Sequence, residues 1–360
     1  MLKEVLQVVG LGQCGCRLGY EFQKLGCDVS YCNSDEVDLR GMEVDKKNVL
    51  LLAGAGTGGS PTKGKEIVEE NFTEFSNFIS SRLDPHKMHL LIFGAGGGTG
   101  GSFIIPAVKL AIEKQVKTAV LATIPAKMLQ LLAADNALRT LKELKNYTFN
   151  TLILADNEYL VNKIGLSSVW WQKVNSHIVE SIASAFELLR PGKISNSGLG
   201  SIDKNEILRI MQSGKGATDI RTFYLSPHNM DEIEDKELAK KVFAPGLIEG
   251  YNYKTTLSYL ISIDTPMKGD FTKYAQRVFN LSQKVCGSAI SRLGMFTDPL
   301  LVDNIRITMV NSGMKLPKIL QSRMHNLKRD EQRYMTKKEK EENITFSDLG
   351  ESVVDEDFSF

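Results

Sequence analysis

Apolar residues in the first half of the chain fall in short unbroken runs rather than in alternation. Runs at 5–9, 29–32, 49–52, 89–93, 118–124 and 151–154 read as strands. Residues 17–24 and 103–114, between them, have helical spacing. Strands that alternate with helices and are apolar throughout indicate a parallel sheet covered on both faces. Ligands of such sheets sit beyond the carboxyl ends of the strands. A longer helical pattern covers 168–189 and stops at Arg190-Pro191-Gly192, a strong breaker. After a loop at 195–201, a second unit begins near Asp203, with strand candidates at 257–263 and 305–310. The predicted fold is α/β: a Rossmann-like parallel-sheet domain over 1–166, a connecting helix over 167–192, a smaller α+β domain over 193–315, and a C-terminal helix with an acidic tail over 316–360.

Composition narrows the class without changing that outline. Among 360 residues, 42% are hydrophobic and 24% charged, with a net charge of +1, an ordinary globular balance. A strongly basic body built to coat DNA is excluded, a local basic patch is not, and no direct base-specific DNA binding is expected. No apolar run approaches the ~18 residues that span a bilayer, so no membrane is expected as a partner. The start, Met1-Leu2-Lys3-Glu4, lacks the pattern of a secretory signal, and a cytoplasmic location is expected. Cys14, Cys16, Cys27 and Cys32 crowd together without paired Cys-x-x-Cys spacing. They read as small residues near a turn and in strands, and no metal–thiolate site is predicted. Trp170-Trp171, in the long helix, reads as core or interface packing ahead of a ligand-stacking role.

The glycines carry the chemistry. Gly10-Leu11-Gly12-Gln13-Cys14-Gly15 joins a strand to a helix and satisfies G-x-G-x-x-G, a dinucleotide fingerprint. Glycine lets the backbone approach a phosphate, and the helix N-terminus offers unpaired N–H donors. A tight structural turn would look the same. A second loop, Gly54 to Pro61, follows the third strand, and a third, Gly94 to Ser102, follows the fourth. Glycine at this density gains no packing and has the largest entropy cost of any residue. Three such loops on one sheet edge describe a surface shaped around an extended polyanion. A dinucleotide ordinarily needs one loop; a nucleoside triphosphate with Mg²⁺ uses three. No G-x-x-x-x-G-K-[ST] occurs, so the Walker lysine is absent.

These residues resemble the tubulin/FtsZ family. Gly96-Gly97-Gly98-Thr99-Gly100 matches its G-G-G-T-G signature. The run Gly12-Gln13-Cys14-Gly15-Cys16-Arg17-Leu18-Gly19 is similar to the first phosphate loop of β-tubulin. Asn33-Ser34-Asp35 resembles the N-T-D loop, and Gly58-Gly59-Ser60-Pro61 with Gly64 resembles the third. Asp156-Asn157-Glu158-Tyr159-Leu160 looks like the sixth. Counted back from Arg190-Pro191-Gly192, Asn175 falls where the family presents Asn or Asp to guanine. The resemblance covers about 5–215, in matching order, and implies GTP/GDP with Mg²⁺ as ligands, 1–166 as the GTP-binding domain and 193–315 as the activation domain. Two departures stand out. Gly101-Ser102 replaces the usual small residue and glycine, and 126–130 lacks the F-E-G ribose pattern. Length, divergence and tail look most like the TubZ branch, which partitions plasmid and phage DNA.

Asp203-Lys204-Asn205-Glu206 opens a helix and reads by itself as a capping box. The resemblance implies more, because the family's seventh loop lands on Asp203 and Glu206. It implies that these two acids meet the nucleotide of the next subunit and position the attacking water. The protein is thus expected to be a polymerisation-dependent GTPase whose partner is itself, head to tail. Residues 318–340 hold eight Lys/Arg against three Asp/Glu, and 341–360 hold seven Asp/Glu and no basic residue. That tail reads either as packing or as the dock for a DNA-binding adaptor of the TubR kind. Competing readings are an NAD-dependent oxidoreductase, resting on Gly10–Gly15 alone, and a division or phage-centring filament of the same superfamily.

Overall fold

The computed structural model describes residues 2–53, 55–126, 133–165, 169–189, 203–212, 216–318, 320–323, 326, 329, 332–333 and 336–337. Segments 127–130, 190–192 and 195–201 and the acidic stretch 341–360 lie outside the described residues. The first half runs β1 (Leu6–Leu11), α1 (Gly12–Lys24), β2 (Asp28–Asn33), β3 (Val49–Leu51), α2 (Pro61–Glu70), α3 (Phe72–Ser80) and β4 (Met88–Gly94). It continues with α4 (Gly98–Glu113), β5 (Lys117–Ile124), α5 (Ala133–Leu144), β6 (Thr151–Asp156), α6 (Asn157–Ile164) and α7 (Trp170–Phe186). The second half holds α8 (Lys204–Met211), β7 (Ala217–Leu225), α9 (Pro227–Glu232), α10 (Asp235–Val242), β8 (Ser258–Thr265), α11 (Thr272–Cys286), β9 (Ile290–Thr297) and β10 (Ile305–Met314).

The described strands form one ten-stranded sheet, in the order β3-β2-β1-β4-β5-β6-β7-β10-β8-β9. From β3 to β6 every pairing is parallel. A single parallel pair, Ile153–Thr218, joins β6 to β7. Beyond it β10 runs antiparallel to β7 and β8. The unbroken apolar runs now have their reason. Leu6, Val8, Leu90 and Ile92 pack into the core layer that includes α1 and α7 residues. Their neighbours Val9, Leu11, Leu91 and Phe93 pack into the layer beneath α3 and α4. Each such side chain removed from water contributes about 1.5–3 kcal/mol, so both faces resist polar substitution.

The strand order reverses between β1 and β4, the switch point at which doubly wound sheets bind ligands. Helix α8 lies at the other edge. Lys204 Nζ donates to the His86 carbonyl at 3.2 Å, just before β4. At its far end, the Met211 carbonyl accepts from Thr151 Oγ1 at 2.6 Å, at the start of β6. Helix α8 therefore crosses the amino ends of the parallel strands. Seven-residue β4 separates the two edges by about 20 Å at ~3.3 Å per residue.

Candidate functional site

Three glycine loops meet at the carboxyl edge because they lack side chains. Gly12 has φ +69°, and a Cβ there would stand 2.7 Å from the Gly100 nitrogen. A Cβ on Gly100 would stand 2.8 Å from the Leu11 carbonyl oxygen. One on Gly98 would meet Thr57 Oγ1 at 2.5 Å and the Gly59 carbonyl carbon at 2.7 Å. Hydroxyls knit the loops together: Ser34 Oγ and Thr99 Oγ1 are 2.6 Å apart, and Thr57 Oγ1 lies 3.3 Å from Thr99 Oγ1.

The loops enclose a cavity of about 620 Å³, within the range of small-molecule sites. Helix α4 opens onto it with Gly97 at the N-cap and no side-chain cap. Its first amides and positive dipole end suit a phosphate. Arg17 is the basic side chain among the described wall residues. Cys14 Sγ lies 3.1 Å from Thr123 Oγ1, and burial raises its pKa, keeping it a neutral thiol.

Gly12, Gln13, Cys14, Asp35, Gly58, Gly59, Gly96, Gly97, Gly98, Thr99, Gly100, Asn157 and Asn175 all line the cavity. Gly15 and Asn33 stand behind it. A Cβ on Gly15 would be 2.2 Å from the Ile92 oxygen, so its glycine serves helix–strand packing. Asn33 is fully buried; its Oδ1 accepts from Ser34 N–H and its Nδ2 donates to Asp38. Asp38 also accepts from Gln13 Nε2 at 2.8 Å, which fixes that wall.

Two residues escape the sequence reading. Trp171, expected in the packing, lines the cavity one helical turn before Asn175 and stacks on Trp170 at 3.8 Å. Period 3.6 alone does not say which of two adjacent tryptophans faces the cavity. Asn136 ties two loops by donating to the Gly59 and Gly96 carbonyls, each at 3.0 Å; no local motif marks it.

Asp203 and Glu206 do not join this cavity. They form the capping box of α8: Asp203 Oδ1 accepts from Asn205 and Glu206 N–H, and Glu206 Oε2 accepts from Asp203 N–H. Among the described residues no group of three His, Cys, Asp or Glu gathers as a metal cluster. None of the described helices is long and apolar enough to cross a membrane.

Residues 5–165 match the tubulin/FtsZ family GTPase domain. The tubulin-like protein CetZ of Pyrococcus horikoshii is 25% identical over 355 residues, covering 93% of this chain and 92% of that one. In solved structures, the GTPγS-bound protofilament of CetZ2 from Haloferax volcanii is similar with TM-score 0.77 at 19% identity, covering 92% and 99% of the two chains. A TubZ protofilament of Bacillus thuringiensis serovar israelensis follows at 0.76 and 14%, covering 96% and 95%. Similarity at that identity supports the architecture and not the expected TubZ branch, while the matched sequence relatives include CetZ and FtsZ proteins. The oxidoreductase reading falls away, since all three loops serve one cavity and the matched domain is a GTPase. Over residues 5–165 the chain carries the GTPase domain of the tubulin/FtsZ family.

Proposed function

We propose that the cavity holds GTP and that subunits assemble head to tail, each supplying Asp203 and Glu206 to the nucleotide of its neighbour. The glycine loops would cradle the phosphates, Trp171 would stack on the guanine, and Asn157 and Asn175 would read its edge. Mg²⁺ would arrive with the nucleotide and offset the charge of its phosphates. In this reading 1–166 is the nucleotide unit and 193–315 the activating one.

The observation that supports it most is separation. The cavity opens at the carboxyl edge of the sheet, and α8 crosses the amino edge. One subunit cannot bring both to the same phosphate. A second copy stacked edge on edge can. Phosphoryl transfer asks mainly for positioning and charge stabilisation. Two carboxylates would orient a water whose oxygen bonds the γ-phosphorus as the bond to the β-phosphate bridging oxygen breaks. GDP and phosphate result, and the water proton leaves with the phosphate.

Light scattering and phosphate release, measured against protein concentration with GTP, ATP and NAD, test the reading. Turnover should rise steeply above a threshold concentration, with GTP only. Glu206→Ala should bind GTP, form longer-lived filaments and lose hydrolysis. Turnover that stays proportional to concentration, or a Glu206→Ala protein that hydrolyses normally, refutes it.

The narrower role is segregation of plasmid or phage DNA through an adaptor on the C-terminal tail. Its support is the opposed charge blocks at 318–340 and 341–360. A helix-turn-helix gene beside a repeated DNA site in the genome favours that role; division genes there favour a division filament.

A further inference from the structure

Glu206 is not a free carboxylate in the lone subunit. Its Oε1 accepts from Arg292 Nε at 2.6 Å, across 86 residues and from β9 to α8. Arg292 Nη1 donates in turn to the Ser291 carbonyl at 2.9 Å, so the guanidinium is held at two points. The other Glu206 oxygen closes the capping box. Both oxygens are thus oriented before any neighbour arrives. The pair is open to solvent, Arg292 with 39% of its side chain exposed and Glu206 with 25%. Neighbouring contacts bring the strand beside the helix: Ser258 Oγ, at the start of β8, donates to the Ile210 carbonyl at 2.9 Å. Ser258 in turn stands opposite Ile290, the first residue of β9.

Charge gives this pairing a purpose. A triphosphate is a polyanion, and two bare carboxylates advancing on it would be repelled. An arginine bound to one of them offsets that repulsion while leaving the carboxylate lone pairs for water. Lysine, a point charge on a flexible stem, would offset the charge but fix the geometry less well.

We infer that Arg292 is a positioning residue for GTP hydrolysis, holding Glu206 and compensating its charge as the α8 end of one subunit meets the triphosphate of the next. This rests on the assembly reading above. The role acts through Glu206, so the two residues are coupled and their effects must not add.

The test uses the full chain with GTP and reads phosphate release per pelleted subunit, with thermal melting as the folding control. Arg292→Gln is measured alone and in mixed filaments with wild-type subunits. We expect turnover per assembled subunit to fall at least tenfold, Arg292→Lys to recover part of it, and Arg292→Gln/Glu206→Gln to match Glu206→Gln alone. Unchanged turnover, or losses that multiply in the double variant, would overturn the inference. Failure of Arg292→Gln to enter wild-type filaments would also overturn it, by making the residue an assembly contact. A wild-type protein without threshold-dependent turnover would instead refute the assembly reading itself.

Discussion

Asp203 caps α8 through a single oxygen, Oδ1, which accepts from Asn205 N–H at 2.7 Å and Glu206 N–H at 2.9 Å. The same carboxylate is the one proposed to act on the neighbouring nucleotide. Serine is an equally good cap but brings no charge. Asp203→Ser should therefore keep stability within about 0.5 kcal/mol, whereas Asp203→Ala should cost about 1 kcal/mol. Both should lose assembly-dependent turnover. Thermal melts and phosphate release separate the two effects, and a Ser variant that hydrolyses at the wild-type rate would leave Asp203 as a cap alone.

Trp171 and Asn175, a turn apart on the cavity wall, should divide affinity from selectivity. Stacking of a base on an aromatic ring is worth about 1–3 kcal/mol. Trp171→Ala should weaken GDP about 5- to 150-fold. Asn175→Ala should narrow the preference for GDP over ADP. Competition against a fluorescent GDP analogue reads both, and equal affinity in the Trp171 variant would remove the ring from the ligand.

Adjacent glycines should respond unequally to one methyl group. At Gly98 the added carbon meets Thr57 and Gly59 inside 3 Å, whereas at Gly97 its nearest neighbour is the Gly94 oxygen at 3.6 Å. Overpacking of the first kind costs about 1–3 kcal/mol. Gly98→Ala should melt lower and bind GTP poorly; Gly97→Ala should fold nearly as the parent does. Similar melting curves for the two would contradict the packed loops.

His89 is fully buried, with Nε2 accepting from Asp84 N–H at 2.9 Å and Nδ1 3.2 Å from the Lys117 carbonyl. A carbonyl only accepts, so Nδ1 carries the proton and the ring is neutral. Burial, the dominant cause, lowers its pKa. A depressed base gives stability that is complete above the ordinary imidazole value of about 6.5 and is lost as pH falls through the native value. The melting midpoint should drop between pH 7 and pH 5, and less in His89→Gln. Parallel slopes for the two proteins would exclude His89 as the titrating group.

The sheet and its glycine loops were legible because the constraint is local: apolar runs announce burial on both faces, and a missing Cβ announces close approach. Strand β7 was less so, since Asp219 and Arg221 interrupt its pattern. They pair at 3.1 Å, with the Arg221 guanidinium 4.5 Å from the Tyr253 ring, a match only the fold makes. Edge strand β9, exposed at Ile290 and half-buried through Leu293, gives no clean alternation. Asn136 and Arg292 act across 40 or more residues, and no spacing rule reaches that far. The capping box at Asp203 and Glu206 was readable locally; its distance from the cavity was not.

The chain has two tryptophans, and they stack on each other where Trp171 meets the cavity. Its indole emission therefore originates at one address, with no second source elsewhere to dilute it. Quenching or a spectral shift of that light would follow occupancy of the cavity in unlabelled protein, in real time, at any stage of growth.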